Sequence, residues 1–117
     1  MSYPFETGGE TIWDAGYYSG RLYESLACGA AEFLELPSGL TPNDRGGCDV
    51  QPAIFRVFVE GLYRHYATTQ NPVLHELTCG LLVTSLVMLE RAGEEIALTD
   101  RDSAALLEEK TRLARAM

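Results

Sequence analysis

A chain of 117 residues is the size of one domain and long enough to bury a core without disulfide or metal staples. Its 46% apolar and 22% charged residues exclude a disordered chain, and its formal net charge of −8 argues against a phosphate-backbone ligand, which needs clustered Lys and Arg. The imbalance is local: residues 1–50 carry eight acids against Arg21 and Arg45, a balance of −6, residues 51–99 carry −2, and residues 100–117 are neutral. An acidic half of this kind favours solubility or a basic protein partner, and nucleic acid is not expected.

Residues 1–9 contain Pro4, Gly8 and Gly9 and lack helical spacing, so they are expected as an extended arm, pinned to the body by Tyr3 and Phe5. They have neither the basic region nor the apolar run of a signal peptide. From Glu10 the spacing predicts a helix over about 10–36, with Thr7 or Thr11 as N-cap and Pro37 as its stop. Ile12, Gly16, Ser19, Tyr23, Leu26, Ala30 and Phe33 recur in steps of four and three, the seam of a helix lying nearly parallel to a neighbour. Trp13 and Tyr17 fall outside that seam beside Glu10, Arg21 and Glu24, which reads either as a pair of interface anchors or as a surface covered by the arm.

Residues 37–49 are rich in turn formers, with Thr41-Pro42-Asn43-Asp44 suited to a β-turn, and are expected as one long loop. A second helix over about 50–68 follows, capped by Asp49, with Pro52 in its first turn and Ile54, Phe55, Phe58, Leu62 and Tyr66 on one stripe. Asn71-Pro72 starts the third helix, about 72–92, and Gly93 ends it. That helix is apolar on nearly every side, so Leu82 and Leu86 are predicted to be buried although they lie opposite Val73 and Leu77. Its apolar run, Leu77 to Leu89, is shorter than the roughly 20 residues of a membrane span, so no membrane is expected. A fourth helix over about 99–116 has Thr99 or Asp100 as cap and Asp102 in its first turn. Leu106, Leu107, Leu113, Ala114 and Met117 make its buried side, and Lys110 lies among them. The expected fold is therefore a single-domain, all-α bundle of four main helices with the third innermost.

Three cysteines, Cys28, Cys48 and Cys79, make no disulfide framework and point to a reducing cytoplasm. His75, Glu76 and Cys79 form an H-E-x-x-C string similar to the zinc helix of metalloproteases, but cysteine stands where the second histidine belongs and no third ligand has diagnostic spacing. No metal and no cofactor are expected. An acid–base group of His65, His75 and Glu76, brought together across the turn between the second and third helices, is the one catalytic alternative. The chain has no G-x-S-x-G, Walker loop, dinucleotide fingerprint or C-x-x-C.

The strings YPFETGGETIWDAG (Tyr3 to Gly16), AEFLELPSGLTP (Ala31 to Pro42) and SLVMLERAG (Ser85 to Gly93) resemble a family of small, all-helical actinobacterial proteins of unknown function. The resemblance runs from Tyr3 to Met117, implies a small bacterial cytoplasmic protein, and assigns no catalytic residue. The residues favour a non-enzymatic, acidic partner-binding protein that sequesters a basic effector, immunity or antitoxin-like, with self-association as the other partner class. Trp13, Tyr17, Glu10 and Glu24 are its expected contact residues. The alternative is a small helical enzyme or ligand-binding protein of secondary metabolism with a pocket near His65, His75 and Glu76.

Overall fold

A computed structural model describes residues 1–99 and 103–117. Its order is β1 (Ser2–Thr7), β2 (Glu10–Gly16), α1 (Tyr17–Leu34), β3 (Leu40–Pro42), β4 (Cys48–Val50), α2 (Pro52–Thr68), α3 (Pro72–Arg91) and α4 (Ser103–Ala114). The fold is α+β, and the all-α bundle expected above is corrected by a four-stranded sheet of order β2-β1-β4-β3.

The expected arm is β1, and about the first quarter of the expected first helix is β2. Gly8 and Gly9, at φ 57° and 86°, form the two-residue loop between them. A tight hairpin turn needs positive φ at both central positions, which glycine adopts without strain. Thr7 and Thr11 are therefore paired strand residues and cap no helix. Tyr3 and Phe5 point inward while Pro4 and Glu6 point outward, the period of two of a half-buried strand. The register of β2 is broken by a bulge: Phe5 pairs with Trp13 and Glu6 with Thr11, leaving Ile12 unpaired. A bulge lets consecutive residues turn to the same side, and Ile12 and Trp13 are both buried. The step of four from Ile12 to Gly16 is therefore not a buried stripe: Ile12 is buried and Gly16 is exposed.

The expected loop over 37–49 contains two more strands. β3 and β4 are antiparallel, with Leu40 opposite Val50, while β4 runs parallel to β1 with Cys48 beside Phe5. Asn43 Oδ1 closes their turn by accepting from the Arg45 and Gly47 amides at 3.0 and 3.1 Å. Gly39 enters β3 at φ 78°, where an added Cβ would lie 2.6 Å from the Phe55 amide nitrogen. One face of the sheet, Tyr3, Phe5, Trp13, Ala15, Leu40, Cys48 and Val50, is buried. Edge strand β2 is held by Arg91, which donates to the Ile12 carbonyl at 3.1 Å, and edge strand β3 is short and ends in Pro42.

Helix α2 packs on α3, and α3 on α4. Asp49 sits in β4, and the N-cap of α2 is Gln51 with no side-chain cap bond. Asn71 does cap α3, its Oδ1 accepting from the Val73 and Leu74 amides at 2.9 and 3.1 Å. Leu82, Leu86, Val87, Met88 and Leu89 are buried, but Val73 and Leu77 at the start of α3 are exposed. The third helix is therefore innermost only in its second half, where the sheet covers the same face that is bare below. By length and composition α3 is able to cross a membrane; in this structure it packs against α2, α4 and β2. On α4, Leu106 is buried, Leu107 is exposed, and Lys110 pairs with Glu90 on α3. Asp100 and Asp102, expected at the start of that helix, lie outside the described residues.

Two pairs of substitutions test this packing. Leu82→Ala removes a fully buried side chain and should cost about 2–5 kcal/mol in denaturant unfolding, whereas Leu77→Ala on the bare half of α3 should cost under about 1 kcal/mol. Gly29→Ala on the open side of α1 should stabilise the fold by about 0.5–1 kcal/mol through helix propensity. Gly20→Ala on the same helix should destabilise it, because its Cβ would lie 2.8 Å from Tyr3 Cβ and Cδ1.

Candidate functional site

Two surfaces of opposite character stand out. The first is a groove of ≈ 910 Å³ between α1 and the first half of α3, closed at one end by α4. Its α1 wall presents Ser19, Leu22, Leu26 and Phe33, its α3 wall Leu77 and Leu81, and its floor Trp13, Tyr23, Leu62 and Val83. Tyr23 spans the floor through a hydrogen bond of 2.7 Å to Ser85 Oγ. Because Ser85 Oγ itself donates to the Leu81 carbonyl at 2.8 Å, the Tyr23 hydroxyl is the donor.

His65 also reaches this groove, its ring edge-on to Phe33 at 5.2 Å, and its buried Nε2 has no hydrogen-bond partner. Glu76 lies on the rim, exposed. His75 does not join them: it stacks on Tyr66 at 4.0 Å. The structure thus brings two of the three expected acid–base residues to one groove and links none of them by a hydrogen bond. Among the described residues, no three His, Cys, Asp or Glu side chains converge to hold a metal ion.

The expected contact residues separate in space. Trp13 is only 9% exposed, stacked on Phe5 at 5.2 Å and edge-on to Tyr23 at 5.8 Å. The ring is largely covered inside the chain and reaches the surface only on the groove floor, so it offers little area as an anchor beside the acidic residues. β1, the expected arm, is what covers it. Tyr17 is half-buried, accepting from Arg21 Nη1 at 2.7 Å under the same guanidinium. Glu24 accepts from the Tyr3 hydroxyl at 3.3 Å, and Glu10 is exposed at the tip of the hairpin.

The second surface is the outer face of the sheet. Strand alternation puts Glu6 on β1, Asp14 on β2 and Asp49 on β4 on this side, among Pro4, Thr11 and Thr41. Glu6 and Asp49 stand side by side across the parallel pair, where strands are about 4.8 Å apart and like charges are unfavourable. Asp49 is partly compensated by Arg45 at 3.1 Å and Asn43 at 3.0 Å. These acids escaped the helical reading, although the alternation of Tyr3, Pro4, Phe5 and Glu6 and the Gly8-Gly9 pair carried the signal.

Burial pushes the Cys48 thiol from 9.0 up to about 12, with Glu24 adding to the effect, and burial also raises Cys79. Burial, with Glu24 adding, lifts Tyr3 from 10.0 to about 12, and burial lifts Tyr23 further. Above about pH 9 the folded chain therefore holds more protons than the unfolded one, so stability must fall as pH rises, while below it these groups contribute no slope. Unfolding midpoints measured over about pH 8–11.5 should be flat at first and then decline. In Cys48→Ala the early part of the decline should be shallower, because only Cys79 then contributes below the tyrosine range.

No curated protein and no solved structure matches the chain. A family of unknown function, DUF6086, matches residues 1–117, and the chain belongs to that family.

Proposed function

We propose that the protein is an acidic partner-binding module whose sheet face takes a basic protein, in the manner of an immunity or antitoxin-like subunit. The observation that carries this reading is the adjacency of Glu6 and Asp49 on an outer face that also holds Asp14. Like charges held side by side lower the stability of the free fold, and a cationic partner would turn that cost into attraction. Charge complementarity of this kind chiefly speeds association and discriminates against wrong partners. Of the contact residues expected from the sequence, Glu10 is exposed at the hairpin tip, whereas Glu24 is engaged by Tyr3. A reducing cytoplasm suits the three free cysteines, and the sequence resemblance supports an actinobacterial source.

A fluorescently labelled oligolysine peptide is a suitable probe. Its binding should weaken steeply with salt, and Glu6→Lys or Asp14→Lys should each reduce affinity about threefold to tenfold, while Glu108→Lys on α4 leaves it unchanged. Equal losses at all three positions would mean nonspecific attraction and sink the proposal. Glu6→Gln adds an independent check: it should raise the melting temperature slightly, by relieving Asp49, while weakening the peptide.

A further inference from the structure

The apolar groove is not explained by the sheet face and needs an occupant of its own. Leu22, Leu26 and Phe33 are 53% to 63% exposed and Leu77 is 72% exposed. Tyr18 and Val73, at 84% and 65%, continue the exposed apolar surface along α1 and α3; single exposed apolar side chains are ordinary, but a run of large ones flanking one groove marks an interaction surface. Gly80, on the groove wall of α3, and Gly29, next to the groove-lining Ala30 on α1, each have nothing within 4 Å of an added Cβ. Glycine inside a helix is destabilising, and nothing within this chain requires it at either position; close approach of another helix would.

The pattern on α1 identifies that helix. Ser19, Leu22, Leu26, Gly29 and Phe33 recur in steps of three and four, a helix-packing seam. Turned end for end about Leu26, this seam complements itself, large against small: Phe33 falls opposite Ser19 of the second copy, Leu22 opposite Ala30, and Leu26 opposite Leu26. Arg21 and Glu32 lie on one flank of the seam, and neither is in a salt bridge among the described residues. Antiparallel pairing brings Arg21 of each copy alongside Glu32 of the other. Parallel pairing would leave this flank of the two copies on opposite sides of the interface, with no such contact.

We propose that α1 of a second copy closes the groove, packed antiparallel across Leu26 in a two-fold dimer. Such an interface is isologous, so one patch serves both copies and the assembly stops at two. The outer face of the sheet is left free in each copy.

Sedimentation equilibrium of the full chain should show a species of twice 12.9 kDa that dissociates on dilution. Leu26→Glu should weaken association at least about tenfold without changing the circular dichroism of the chain. Arg21→Glu and Glu32→Arg should each weaken it about threefold to tenfold. The double exchange Arg21→Glu with Glu32→Arg should restore it, which a general loss of fold cannot do. A monomer at millimolar concentration, a dimer indifferent to Leu26→Glu, or a double exchange no tighter than the single ones overturns the proposal. Flotation of the wild-type chain with phosphatidylcholine vesicles, lost in Leu26→Glu, would also overturn it by assigning the face to lipid.

Discussion

The structure depends on Phe5 at the crossing of two strand pairings. Its strand is antiparallel to β2 on one side and parallel to β4 on the other, so the backbone of β1 holds both ends of the sheet together. The Phe5 side chain is fully buried, stacked on Trp13 and edge-on to Tyr3 and Tyr23. Tyr23 then carries the connection from the sheet through Ser85 into α3. One aromatic ring thus couples the sheet, α1 and the central helix. Rings packed edge-to-face or offset contribute beyond their buried area, and they fix the angle at which α1 leaves β2.

The second half of the chain was readable from its sequence and the first was not, for identifiable reasons. Helix α2 declares itself by an apolar stripe along its 17 residues and α3 by a long run that is apolar on nearly every side, and Asn71-Pro72 punctuates the boundary with a real cap. The hairpin strands are six and seven residues long, too short for a strong alternation signal, and the bulge at Ile12 breaks what alternation exists. β3 and β4 have three residues each and form only because β1 offers an open edge far away in sequence. Propensity cannot register such pairing, and turn residues around it read simply as a loop. Of the expected site, His65 and Glu76 do share a groove, but the burial of Trp13 follows from the strand that the sequence reading took for an arm.

Charge and apolar surface are segregated by the layer structure. The sheet turns its apolar face to α1 and the body and its acids outward, while α1 turns its small residues to the sheet and its leucines away. Gly20, Ala27 and Ala31 are buried on the near side of α1, and Leu22, Leu26 and Phe33 are left on the far side. Small residues inside bring helix and sheet close together; large ones outside have no intramolecular use. The same helix therefore explains both why the sheet is tightly covered and why the groove is bare. The orphaned Nε2 of His65 beneath Phe33 adds an unmet polar group to that unfinished wall, and buried polar groups normally find partners.

The parallel β1–β4 pair also sets the order in which the chain can fold. Phe5 must wait for Cys48, and closing a loop of roughly 40 residues carries an entropic cost of about 3 kcal/mol before any contact repays it. The α2–α3 hairpin needs no such closure and is the faster nucleus, since local contacts form before distant ones. On a ribosome adding roughly 5–20 residues per second, β1 emerges seconds before its parallel partner exists. During that interval its Tyr3 and Phe5 side chains and its open edge are unprotected except by β2. The vulnerable period of this fold therefore falls during synthesis, in the β1–β2 hairpin, and a destabilised Gly8-Gly9 turn would lengthen it before it altered the finished fold.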